Sequence, residues 1–148
     1  MRELLQARAT AVVCAAACGV DLIALTEAES LGLRRRIVLP FDVARFRKTS
    51  VIDRPGEWGE PYDRVIAAAE KSGDLLVASG EVAASEDELY LLANRIILDE
   101  AVALAHDGSS AAALLVWDGK SRGPGDITAQ FADSARERGL QVLELRIV

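Results

Sequence analysis

Ala11-Val12-Val13-Cys14-Ala15-Ala16-Ala17-Cys18-Gly19-Val20-Asp21-Leu22 is the stretch whose reading decides the fold. Ala11–Ala15 is small, apolar and partly β-branched, the composition of a short buried strand. Small residues then lead to Gly19. From Gly19 to Leu31 the residues Leu22, Ile23, Ala28 and Leu31 recur on one side of a helix that Gly32 stops. A strand that runs straight into a helix through a tight turn is the first half of a βαβ unit.

The alternation continues outward in both directions. Met1–Ala9 reads as a short helix before the strand. Arg36–Leu39 is a second strand ended by Pro40, and Asp42 can cap a brief helix through Lys48. After a Pro/Gly-containing loop, Thr49–Glu60, the pattern predicts a helix over Pro61–Ser72 with Pro61 in its first turn. Leu75–Ser79 is a third strand. Ser85-Glu86-Asp87-Glu88 is a capping box opening Glu86–Ala105, whose apolar face holds Leu89, Leu92, Ile96 and Leu98–Val102. Ala112–Trp117, Ile127–Arg138 (stopped by Gly139) and Gln141–Ile147 complete the chain as strand, helix, strand.

Short, continuously apolar strands separated by helices mark a parallel sheet covered on both faces. With right-handed crossovers, the expected fold class is α/β: a three-layer, doubly wound, mostly parallel five-stranded sheet of order 3-2-1-4-5. No repeat, low-complexity segment or linker divides residues 1–148, so a single domain is expected.

Composition narrows the function classes. At 148 residues the chain buries enough surface to fold without disulfides or a structural metal. No apolar run approaches the roughly 20 residues of a membrane span, and Met1–Ala17 has no signal-peptide pattern. Cys14 and Cys18 lie four apart with only His106 as a further soft ligand, too few for zinc; they read as free thiols of a reducing cytoplasm. The formal charge of −6 argues against general nucleic-acid binding. Arg34, Arg35, Arg36, Arg45, Arg47 and Lys48 nevertheless form a local basic stretch, in which Arg34–Arg36 read as solvated flank.

In open α/β sheets ligands bind past the carboxyl ends of the strands where the winding reverses. Under the order above, two turns matter. Cys18, Gly19 and Asp21 form the first, where small residues let a phosphate approach the backbone and the helix start supplies free N–H groups; a plain strand-to-helix turn fits equally. Trp117-Asp118-Gly119-Lys120-Ser121-Arg122-Gly123-Pro124-Gly125-Asp126-Ile127-Thr128 is the second, with glycines, cations and a hydroxyl at a helix entrance. Gly119-Lys120-Ser121 lacks the spacing of a Walker loop. Phe41 or Trp58 can stack on a base or simply pack, and Arg45, Arg47 and Arg54 can pair with a phosphate or line a helix. His106 closes a helix, where a cation suits the dipole. No nucleophile elbow, Cys/His arrangement or carboxylate pair is visible.

Ala17-Cys18-Gly19-Val20-Asp21-Leu22, Val38-Leu39-Pro40-Phe41, Arg45-Phe46-Arg47-Lys48-Thr49-Ser50-Val51 and Val116-Trp117-Asp118-Gly119 resemble SLOG-type Rossmann-like domains. That superfamily takes in lysine-decarboxylase-like phosphoribohydrolases and the DNA-processing protein family; the likeness is greatest to a divergent bacterial branch found beside nucleotide cyclase and tetratricopeptide-repeat modules. The resemblance runs from about Ala11 to the end. It implies a nucleotide-binding cleft, with Cys18, Gly19, Asp21, Trp117, Gly119, Gly123, Gly125 and Thr128 as binding positions. The chain departs from the hydrolases' Pro-Gly-Gly-x-Gly-Thr-x-x-Glu motif, having Arg122-Gly123-Pro124-Gly125-Asp126-Ile127-Thr128 with Gln130 near the acid's place, and such relatives begin with an earlier strand.

The expected ligand set is therefore Cys18, Gly19, Asp21, Phe41, Arg45, Trp117, Gly119, Arg122, Gly123, Gly125 and Thr128, around a nucleotide or nucleotide-derived phosphate, with no metal. The expected function is binding or sensing without catalysis. Two alternatives stand beside it: a nucleoside-monophosphate phosphoribohydrolase, and an interaction domain with a vestigial pocket that pairs copies through Glu86–Ala105. A homo-oligomer is expected, and no membrane partner.

Overall fold

The computed structural model describes residues 1–78, 85–105 and 110–147. The expectations placed on Ser79 and His106 lie outside those residues. The chain falls into two compact units, Met1–Ile97 and Leu98–Val148.

The first unit runs α1 (Arg2–Arg8), β1 (Ala11–Cys14), α2 (Val20–Ser30), β2 (Arg34–Leu39), α3 (Val43–Ser50), α4 (Gly59–Ser72), β3 (Leu75–Val77) and the start of α5 (Glu86–Leu104). Its strands form a parallel sheet of order β1-β2-β3, with Val12 opposite Arg35 and Val38 opposite Leu76. β2 is the central strand, and Ile37, Val38 and Leu39 are wholly buried. On α2 the buried residues are Leu22, Ala24, Leu25 and Ala28, a face at helical spacing, while Ile23 is 46% exposed rather than inward. Phe46 of α3 and Tyr62, Val65 and Ile66 of α4 close the core, and the Tyr62 hydroxyl, which burial keeps protonated, donates to the Val43 carbonyl at 2.8 Å.

The second unit holds the rest of α5, β4 (Ala112–Trp117), α6 (Ile127–Glu137) and β5 (Gln141–Arg146). β4 and β5 pair in parallel, Leu114 opposite Leu143, over a small core of Leu98, Ala113, Leu115, Ala132 and Ala135.

The α/β class and parallel pairing follow the sequence, but the single five-stranded sheet does not. Three of the four expected neighbour pairs form (β1 with β2, β2 with β3, β4 with β5), and the described strands make a three-stranded and a two-stranded sheet with no pairing of β1 to β4. The physical reason is that a continuous apolar run specifies a strand without specifying which edge of which neighbour it joins. β2 also starts two residues earlier than its hydrophobicity suggests, taking in Arg34 and Arg35. Among the described residues no helix is long and apolar enough to cross a membrane.

Candidate functional site

The carboxyl edge of the β1-β2-β3 sheet collects the chemistry of the first unit. β1 ends at Cys14, and the chain turns through Ala15–Cys18 into α2. Gly19 is the N-cap residue of α2 at φ 90°, ψ −125°, a conformation that side chains disfavour, and a Cβ built there meets nothing within 4 Å. The space above this turn is open. Cys18 N–H is already taken by the Ser50 carbonyl at 2.9 Å, and Ala17 N–H donates to a carboxylate oxygen of Asp21 at 3.2 Å.

Asp21 therefore folds back beneath its own turn. Burial pushes its carboxyl up to about 6, against the lowering effect of the Ala17 amide. Burial, and then the charge of Asp21, hold the Cys14 thiol well above the ordinary thiol range. Both cysteines are half-buried free thiols. A thiol so raised is a poor nucleophile near neutrality.

Among the described residues, the four helices that follow a strand begin differently. Asp42 caps α3 by accepting from Arg45 N–H, the Ser85 hydroxyl caps α5 by accepting from Glu88 N–H, and Asp126 caps α6 by accepting from Ala129 N–H. α2 alone of these has no side-chain cap. Among the described residues, no side chain caps its first-turn amides.

Phe41 and Arg45, expected at this edge, are there but engaged. Phe41 is 6% exposed, edge-on to Tyr90 at 5.6 Å and tilted against Phe46 at 6.0 Å. The Arg45 guanidinium lies 4.1 Å over the Phe41 ring and 3.6 Å from Glu86. Arg47 forks onto Asp63 at 2.9 and 3.0 Å, Trp58 donates its indole N–H to the Pro55 carbonyl, and Arg54 is exposed. Sequence reading missed the Ser50–Tyr90 hydroxyl pair, which are hydrogen-bonded to each other beside the Cys18 amide's acceptor. Forty residues separate them in the chain, and no local pattern marks that pairing.

In the second unit the glycine-rich loop is filled by its own side chains. Asp126 accepts from Arg122 N–H at 2.8 Å as well as from Ala129 N–H at 3.1 Å, with the Thr128 amide also contributing. Hydrogen bonds from these amides, that of Arg122 first, hold its carboxyl below the ordinary range. Lys120 N–H donates to Asp118 at 3.0 Å, and Gly123 N–H to the Ser121 hydroxyl at 3.3 Å. The Arg122 guanidinium reaches Asp118 at 3.3 Å, and a Cβ on Gly119 would come within 3.0 Å of the Arg146 guanidinium. Gly125 has open space beside it. The indole N–H of Trp117 is buried with no partner among the described residues. Cys18, Gly19, Asp21, Phe41 and Arg45 thus belong to the first unit, and Trp117, Gly119, Arg122, Gly123, Gly125 and Thr128 to the second.

No family model, curated protein or solved structure matches this chain. Among the described residues no group of three or more His, Cys, Asp and Glu is placed to hold a metal ion.

Proposed function

We propose that the carboxyl edge of the first unit's sheet binds the phosphate of a nucleotide or nucleotide-derived ligand, as a binding or sensing site without catalysis. The observation that carries the reading is the uncapped start of α2 beneath the open space at Gly19. First-turn N–H groups and the positive end of the helix dipole favour a bound anion there. Asp21 tempers it: its ionised form repels a phosphate, and its protonation near pH 6 removes that charge.

Calorimetric titration with inorganic phosphate and a panel of nucleoside mono- and diphosphates tests this. The expected result is saturable binding with Kd of about 1 mM or tighter, lost in Gly19→Ala. Absence of binding across the panel would overturn it. The second reading, an N-glycoside phosphoribohydrolase, draws on the same Asp21, because a carboxyl poised near neutrality can serve as a general acid or base. Release of free base from nucleoside monophosphates, abolished in Asp21→Asn, would favour the enzyme over the sensor.

A further inference from the structure

A cavity of about 170 Å³ opens at the opposite, amino-terminal edge of the first unit's sheet. Leu33, Arg35 and Ile37 of the β2 side and Val65, Ala68 and Ala69 of α4 line it, with Arg34, Ser72 and Asp74 completing its wall. The alternate residues Leu33, Arg35 and Ile37 share one face of the strand, so the cavity lies between that face and α4. Ile37, Val65 and Ala69 are buried and make an apolar floor.

The mouth is charged, and the charges do not cancel. Arg34 meets Asp74 at 3.0 Å, while Arg35 and Arg64 each meet Glu29 at 3.4 Å. With Arg36 also on Asp74 at 3.0 Å, four guanidiniums meet two carboxylates beside the cavity, on a protein whose formal charge is −6. Such a local surplus draws a small anion, and a guanidinium fork matches a carboxylate in particular. The volume is several times the roughly 30 Å³ share of one liquid water and below the roughly 300–1,000 Å³ of sites for larger ligands. The ligand must be short.

We propose that this cavity binds a short aliphatic carboxylate, its tail on the Ile37–Val65–Ala69 floor and its head on Arg35. The site is separate from the phosphate reading at the other edge and does not rest on it.

The full chain, labelled with nitrogen-15, is titrated with butanoate while its amide resonances are followed. Saturable shifts confined to residues 33–37 and 65–74 are expected, with Kd of about 1 mM. Ala68→Leu, which fills a half-exposed part of the cavity, should weaken binding at least tenfold while leaving the far-ultraviolet circular dichroism unchanged. Arg35→Gln should do the same by removing one guanidinium, and serves as the test if the first variant fails to fold. Equal binding of 1-butanol would overturn the proposal by showing no selection for the anion. So would displacement of butanoate by inorganic phosphate at equal concentration, no shift at these residues, or shifts that both variants leave intact.

Discussion

Asp21 makes the sharpest statement that a single residue here can make. Its carboxyl is raised to about 6 in the folded chain, against about 3.9 in an unfolded one. The charged form is therefore disfavoured by folding: the penalty is absent below the unfolded value, grows as the pH rises from about 4 to about 6, and is complete above that. The full penalty of two pH units would be about 3 kcal/mol, less here because the side chain keeps some contact with water. In urea denaturation, Asp21→Asn should stabilise the protein at pH 8 and do little at pH 4, since asparagine keeps an acceptor for the Ala17 amide. An equal effect at both pH values would remove the raised carboxyl from the account. Asp21 was legible in the sequence as a first-turn acid, but not as a buried one. First-turn position follows from spacing, whereas its burial depends on how Ala15–Cys18 wrap back over α2.

At the scale of elements, the helix starts carry the lesson. The Ser85–Glu88 box and the Asp42 cap could be read directly from residue type and position, because capping is decided within four residues, whereas the Asp126 cap was not read. The glycine-rich loop before α6 could not be read that way. Its composition suits an anion cradle, yet the anion at its amides is the carboxylate of Asp126. Asp126→Ala should speed hydrogen exchange at the Arg122 and Ala129 amides and leave the β4–β5 ladder protected. Because that carboxyl sits below the ordinary range, its contribution is present at neutral pH and lost as acid protonates it, so the same two amides in the unaltered protein should keep protection through the ordinary carboxylate value of about 4 and lose it only in stronger acid. Unchanged exchange would mean that the loop is held by something other than its cap. The strands show the complementary limit: the apolar runs located each described strand, while the basic start of β2 was hidden because Arg34–Arg36 look like a solvated flank.

For the molecule as a whole, the acidic balance of −6 is set against the two places proposed above for an anion, both in the first unit. One lies at the carboxyl edge of a parallel sheet, the other at its amino edge, separated by the length of β2, six residues or about 20 Å. Sites that far apart with no shared partner should act additively. Saturating butanoate should leave the dissociation constant for inorganic phosphate unchanged within about twofold; a larger change would tie the two edges together. Sequence alone favoured the carboxyl edge, since that preference is a property of the fold class, and had no means of finding the amino edge, where residues from β2 and α4 meet only after folding.

Asp74 is 6% exposed and sits just ahead of β3, its backbone carbonyl bound to Ile37 N–H at 2.8 Å and its side chain to both Arg34 and Arg36 at 3.0 Å. Burial pushes its carboxyl up, but the two guanidiniums more than reverse that and leave it below the ordinary range. A parallel pair joined through a long crossover has no hairpin to align it, and β2 meets β3 over only three residue pairs. Sliding the strands by one position would turn Asp74 to the other face of the sheet, away from both Arg34 and Arg36. The clamp thus adds a charged constraint on the alignment of the two strands that the apolar residues Leu75, Leu76 and Val77 do not supply.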